Sequence, residues 1–238
     1  MAVNPGLRQR IATIPNFTVR LSRAASPIAV SRTFLKNVYG IGGSMFGEIK
    51  SQTSDVGSAI RYFILPNPEF SPGLPLKPGA PGTMLTNLPD ILKCGPISLW
   101  MKTAGGLWKY FGYYTFSRSP NPLTADEARA FDKSTRRTWV KLLTRREYDS
   151  HAELRIRIWF RKIGAKVTRD AIARELVLLQ KEQSAMELDE TDICDALQSW
   201  KETLHVIVMH CSGYDYDYLE DVESRWREWQ GQAAAGDA

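Results

Sequence analysis

Apolar and polar positions alternate over about five residues on each side of Ala104-Gly105-Gly106. Two such runs around a glycine-containing turn predict a β-hairpin across residues 96–118. Its aromatic load is high: Trp100, Trp108, Tyr110, Phe111, Tyr113, Tyr114 and Phe116. Residues 59–65, Ala-Ile-Arg-Tyr-Phe-Ile-Leu, read as a buried strand, Thr83 to Leu85 as another, and Leu204 to His210 as a third. Between the first two lie Pro66, Pro68, Pro72, Pro75, Pro78 and Pro81, which exclude a helix or a central strand. Pro72, Pro75 and Pro78 have the spacing of a polyproline ligand. The apolar Phe70, Leu74 and Leu76 among them favour an ordered loop wrapped over the sheet.

Helical periods dominate elsewhere. Val30 to Tyr39 reads as a short helix capped by Ser31 and stopped by Gly40. Thr124 and Glu127 have the spacing of a capping box. The next helix is expected to be capped by Ser134 or Thr135, with Trp139, Leu142 and Leu143 on its apolar face. Residues 149–163 fit two periods. Leu154, Ile156, Ile158 and Phe160 alternate as in a strand, whereas Ala152, Ile156, Trp159 and Ile163 form a helical stripe. Helical flanks and the stop at Gly164 decide for helix. Thr168 caps a further helix reaching Ser184, Asp189 or Thr191 caps residues 192–201, and Asp217 is the candidate cap of a last helix ending near Gln230. The expected fold is α+β: a small antiparallel sheet or partly open barrel from residues 59–118 and 203–211, with the helical C-terminal half packed on it. Residues 1–29 are expected to be a basic flexible arm, 30–230 a single α+β domain, and 231–238 a disordered tail.

Charge changes this picture, because it is segregated. Residues 1–117 hold 12 Lys/Arg against 4 Asp/Glu, residues 118–174 hold 15 against 7, and residues 175–238 hold 4 against 15. A basic body with an acidic C-terminal third attracts polyanions on one side, or pairs its own halves. The first 47 residues carry no acidic side chain, a composition shared by mitochondrial transit peptides and by phosphate-touching arms. Pro15 interrupts the amphipathic helix a transit peptide needs, so a nuclear or cytoplasmic address is expected ahead of a mitochondrial one. No run of 18 apolar residues occurs, and no membrane partner is expected. Three scattered cysteines, Cys94, Cys194 and Cys211, argue against a disulfide framework.

Five short motifs in order resemble an uncharacterised domain family abundant in mushroom-forming fungi. They are Ser31-Arg32-Thr33-Phe34-Leu35 with Tyr39-Gly40, Lys77-Pro78-Gly79-Ala80-Pro81-Gly82, Leu107 through Tyr114, Pro122-Leu123-Thr124 with Glu127, and Cys211-Ser212-Gly213-Tyr214-Asp215. The resemblance covers most of residues 30–229 and implies origin and architecture, not chemistry. The Trp108-to-Tyr114 hairpin strand is also similar to strands of small β-barrels of the PUA and SRA type, some of which read modified bases; that is an analogy of pattern.

Catalytic signals are weak. His151, His205 and His210 lack the paired spacing of a zinc site, and no metal or cofactor is expected. No nucleophile elbow occurs, and Asp189/Glu190 and Glu220/Asp221 suit helix starts better than acid–base work. The leading expectation is a non-enzymatic binding module for nucleic acid. Arg136, Arg137, Lys141, Arg145 and Arg146 fall on one helix, Arg155, Arg157, Arg161 and Lys162 on the next, with Trp108, Tyr110 and Tyr113 as candidate stacking platforms. The competing expectation is that those aromatics fill the hairpin's buried face and the arginines pair with Glu147, Glu153 and the acidic third. A self-association or acidic-protein-binding module, and a hydrolase or nuclease with an unrecognised site, are the alternatives in function.

Overall fold

The computed structural model describes residues 4–20, 28–41, 45–49, 61–86, 90–103, 105–144, 151–198, 202 and 204–236. Among them, seven strands form one sheet: β1 (Ala29–Val30), β2 (Phe46–Ile49), β3 (Arg61–Ile64), β4 (Gly82–Thr86), β5 (Ile97–Lys102), β6 (Trp108–Arg118) and β7 (His205–Gly213). Their order is β2-β3-β5-β6-β7-β4, with β1 paired to the start of β6. Every pair is antiparallel except β3 with β5. The sheet is open, with β2 and β4 at its edges. Eight α-helices among the described residues accompany it: α1 (Pro5–Ile11), α2 (Arg32–Tyr39), α3 (Ala125–Arg129), α4 (Lys133–Thr144), α5 (Ala152–Lys162), α6 (Arg169–Gln180), α7 (Glu190–Gln198) and α8 (Tyr216–Gly236). The chain is thus α+β with a helical C-terminal half, and the ambiguous segment before Gly164 is helix.

Local chemistry sets the helix ends. Ser31 accepts from the Phe34 amide at 3.1 Å and Gly40 takes φ 66, the left-handed stop that a glycine enters without a side-chain clash. Thr124 and Glu127 close a reciprocal capping box. Asp132, not Ser134 or Thr135, caps α4, accepting from the Thr135 amide at 2.6 Å, and this brings Lys133 into the helix. Asp215, not Asp217, accepts from the Tyr218 amide at 2.9 Å at the start of α8. That helix continues beyond Gln230 to Gly236.

The hairpin strands are buried on both faces. Trp100, Trp108 and Tyr110 pack with Phe34, Leu35 and Tyr39 of α2 and Tyr218, Leu219 and Val222 of α8. Leu99, Met101, Phe111 and Tyr114 join Leu74, Met84 and Met209 in a second cluster. The β6 register shifts at Tyr113/Tyr114 beside Gly112, whose φ is 114. A Cβ there would lie 2.7 Å from the Gly213 carbonyl, so only glycine lets β6 and β7 approach this closely. The proline-rich loop is ordered against the sheet: Gly79 donates to the Phe111 carbonyl at 3.2 Å, and the Tyr114 hydroxyl donates to the Ala80 carbonyl at 2.8 Å. Leu74 is buried in that loop, whereas Leu76 is 70% exposed.

In residues 4–20 the expected flexible arm is a docked segment. Leu7 of α1 is buried beside Leu85 of β4, Phe17 donates to the Gly79 carbonyl at 2.9 Å, and Asn4 is buried. Arg10 forks onto Glu127 at 2.5 and 2.6 Å and also donates to the Ser119 hydroxyl and the Asn121 and Pro122 carbonyls. A planar guanidinium with five donors is well suited to such a cradle. Residues 21–27 lie outside the described residues.

Candidate nucleic-acid interface

Helix α4 buries Thr135, Trp139, Val140 and Leu143, and turns Lys133, Arg136, Arg137 and Lys141 to solvent. Lys133, Arg137 and Lys141 follow one another at intervals of four, so they form a stripe on one face. Arg136 sits nearer the buried side. None of the four makes an ion pair or side-chain hydrogen bond with a described residue. Arg145 and Arg146, which follow on the chain, lie outside the described residues, as does Glu147.

Helix α5 carries as many cations in a different state. Arg155 is 3% exposed and therefore belongs to the interior, a correction to its expected place on the surface. Arg157 donates to Glu202 at 2.9 Å, Arg161 donates to the same carboxylate, and Arg157 also lies 3.8 Å from Glu153. Lys162 pairs with Asp192 at 2.7 Å. Glu202 is buried, and a carboxylate removed from water needs such cationic donors. The pairing of α5 with the acidic third is the outcome that segregation of charge in the sequence permits.

Two of the three aromatic platforms are not at the surface. Trp108 is 6% exposed and Tyr110 is fully buried, so neither stacks on an incoming base; this corrects their expected role. The rings pack on one another instead, with Tyr110 centroids 5.5 Å from Trp100 and Tyr218 and 5.0 Å from Tyr214. Arg32 lies over the Trp108 ring at 5.9 Å. Tyr113 is half-buried and donates to Asp215 at 3.1 Å. Burial pushes the hydroxyls of Tyr110, Tyr114 and Tyr218 far above the ordinary tyrosine range, which keeps them neutral.

Other titratable groups have structural surroundings. His151, just before α5, is buried against Trp139; burial, with the Arg155 charge second, lowers its pKa to about 4. Burial raises Glu127, but hydrogen bonds from Arg10 and Thr124 outweigh it and hold the carboxyl below its usual range. The Cys211 thiol is buried and pushed up, the opposite of an activated nucleophile. Among the described residues no group of three or more His, Cys, Asp and Glu side chains converges on a metal-sized point, and no helix is long and apolar enough to cross a membrane.

Two features were not found from sequence. Lys133 was missed because the helix start was expected two or three residues later. Glu202 was missed because its neighbours Trp200-Lys201 and Thr203-Leu204 give no local signal for a carboxylate that joins α5 from a distant segment. No curated protein and no solved structure matches the chain. A family described as a domain of unknown function, DUF6697, matches residues 29–225. With most of its length inside that match, the chain belongs to the DUF6697 family.

Proposed function

We propose that this protein is a non-enzymatic binding module for nucleic acid, and that Lys133, Arg137 and Lys141 of α4 carry the contact. The observation behind the reading is that this stripe has no partner among the described residues, whereas the cations of α5 are paired or buried. Long, mobile cations on an exposed helix face suit backbone phosphates, and the absence of exposed hairpin rings points to backbone contact without base stacking. Such binding is tolerant of sequence and sensitive to salt. Three phosphates neutralised imply roughly a fortyfold loss of affinity between about 50 and about 200 mM salt. Fluorescence anisotropy of labelled duplex DNA, duplex RNA and single strands tests this directly. Binding weakened by salt supports the reading; no binding at the lower salt rejects it. The same reading proposes a fungal protein of the nucleus or cytoplasm, which imaging of a tagged chain in the source cell checks.

Self-association is a second reading, favoured by α6. Glu175 is that helix's only buried described residue, while Val177 and Leu178 are exposed. Light scattering at two salt concentrations separates it: a monomer at both removes its support.

A further inference from the structure

Between α3, α4, α7 and the segment entering β7 lies a cavity of about 280 Å3, partly open to solvent. Its apolar walls are Leu123, Phe131, Trp139, Val140, Leu197 and Leu204. Three charged side chains also reach it: Arg129, Arg136 and Glu202. Two of them are already committed. Glu202 holds Arg157 and Arg161, and Arg129 pairs with Asp126 at 2.6 Å. Arg136 is exposed and has no partner among the described residues. The cavity therefore offers an apolar interior and, among the described residues, one uncommitted cation at its edge, the pattern of a small-molecule site with an orienting group.

We infer that this cavity binds a small monoanionic amphiphile, with its apolar part among Phe131, Trp139 and Leu197 and its carboxylate on Arg136. Size restricts the ligand. A dry cavity of about 150 Å3 holds a benzene ring, so this one suits a body of roughly ten non-hydrogen atoms. A medium-chain carboxylate or an aryl acid has that volume and that charge. A cation would leave Arg136 unmatched, a zwitterion would bring an unpaired positive group to the apolar walls, and a polyanion would carry extra negative charge into them. The site is separate from the Lys133, Arg137 and Lys141 stripe, so the two readings stand or fall independently.

The test uses the full chain with octanoate below its micelle concentration and octan-1-ol as the uncharged comparator. A bromine-terminated octanoate should quench tryptophan emission through Trp139, and Trp139→Phe should remove most of that quenching. Octanoate should bind about tenfold more tightly than octan-1-ol, the contribution of one exposed charge-assisted contact. Arg136→Gln should erase that preference and leave octan-1-ol binding unchanged; Leu197→Trp should abolish both. Arg136→Gln lies on an exposed position, so its result stands even if Leu197→Trp fails to fold. Absence of quenching, or an octanoate preference that survives Arg136→Gln, overturns the proposal.

Discussion

Helices α4 and α5 each carry four cations, and only α4 leaves them all in solvent without a partner among the described residues. On α5, Arg155 is interior, Arg157 and Arg161 share Glu202, and Lys162 takes Asp192. A basic stretch of sequence is therefore not a basic surface. What separates the two helices is the placement of a few carboxylates from the acidic third of the chain, above all the buried Glu202. Net charge is equal in kind on both helices; free charge is not.

The largest expected effect comes from reversing α5. Arg157→Glu with Arg161→Glu sets like charges beside buried Glu202 and should cost about 3–5 kcal/mol in urea unfolding. Lys133→Glu, Arg137→Glu and Lys141→Glu together should change stability by less than about 1 kcal/mol, since exposed positions tolerate substitution. Equal losses in the two variants would break the contrast.

Next in size is an effect of pH at the head of α5. The folded-state pKa of His151 is lowered from 6.5 to about 4, so the unfolded chain binds the extra proton first. Stability should fall as pH drops from 6.5 toward 4 and level off below that, by about 3 kcal/mol. Glu127, held low in the folded state, adds a loss as pH falls through its own folded value, in the same direction. Denaturant titrations at a series of pH values measure the slope, and His151→Asn should flatten it between 6.5 and 4. A slope that persists in His151→Asn would assign it elsewhere.

Glu202→Gln sharpens the comparison from the other side. Releasing Arg157 and Arg161 should cost about 2 kcal/mol, less than a fully buried pair because both arginines are partly exposed. The same variant should raise affinity for a polyanion several-fold, because two silent cations become available. Destabilisation without any gain in binding would show that α5 faces away from the ligand. The smallest effect is expected from Asp126→Asn, which breaks the exposed pair with Arg129 and should shift stability by less than about 0.5 kcal/mol.

Legibility in the sequence followed the range of the forces involved. The α+β class, the hairpin, the strands at 59–65 and 83–85 and the capped starts at Ser31, Thr124 and Thr168 were readable, because periodicity and caps are local. The α4 and α8 caps were displaced by two or three residues, since Asp132 and Asp215 accept from amides that nearby hydroxyls and carboxylates could equally have served. The arm was misread because Leu7, Arg10 and Phe17 are held by β4, Glu127 and Gly79, partners far along the chain. Among the candidate site residues, Arg136, Arg137 and Lys141 are exposed as expected. Trp108, Tyr110 and Arg155 are not, because the two rings lie on a strand covered on both faces and Arg155 is buried within α5, near His151. The ion centre at Glu202 and the cavity beside it are tertiary products with no short-range signature.

The most direct test compares the salt slope of DNA binding in the unmodified protein with that of a Lys133→Gln, Arg137→Gln and Lys141→Gln variant, both followed by anisotropy. The account predicts that the slope of log K against log salt falls by about 3 in magnitude in that variant and is unchanged in Arg157→Gln with Arg161→Gln. A slope untouched by the α4 changes, or removed by the α5 changes, would contradict it.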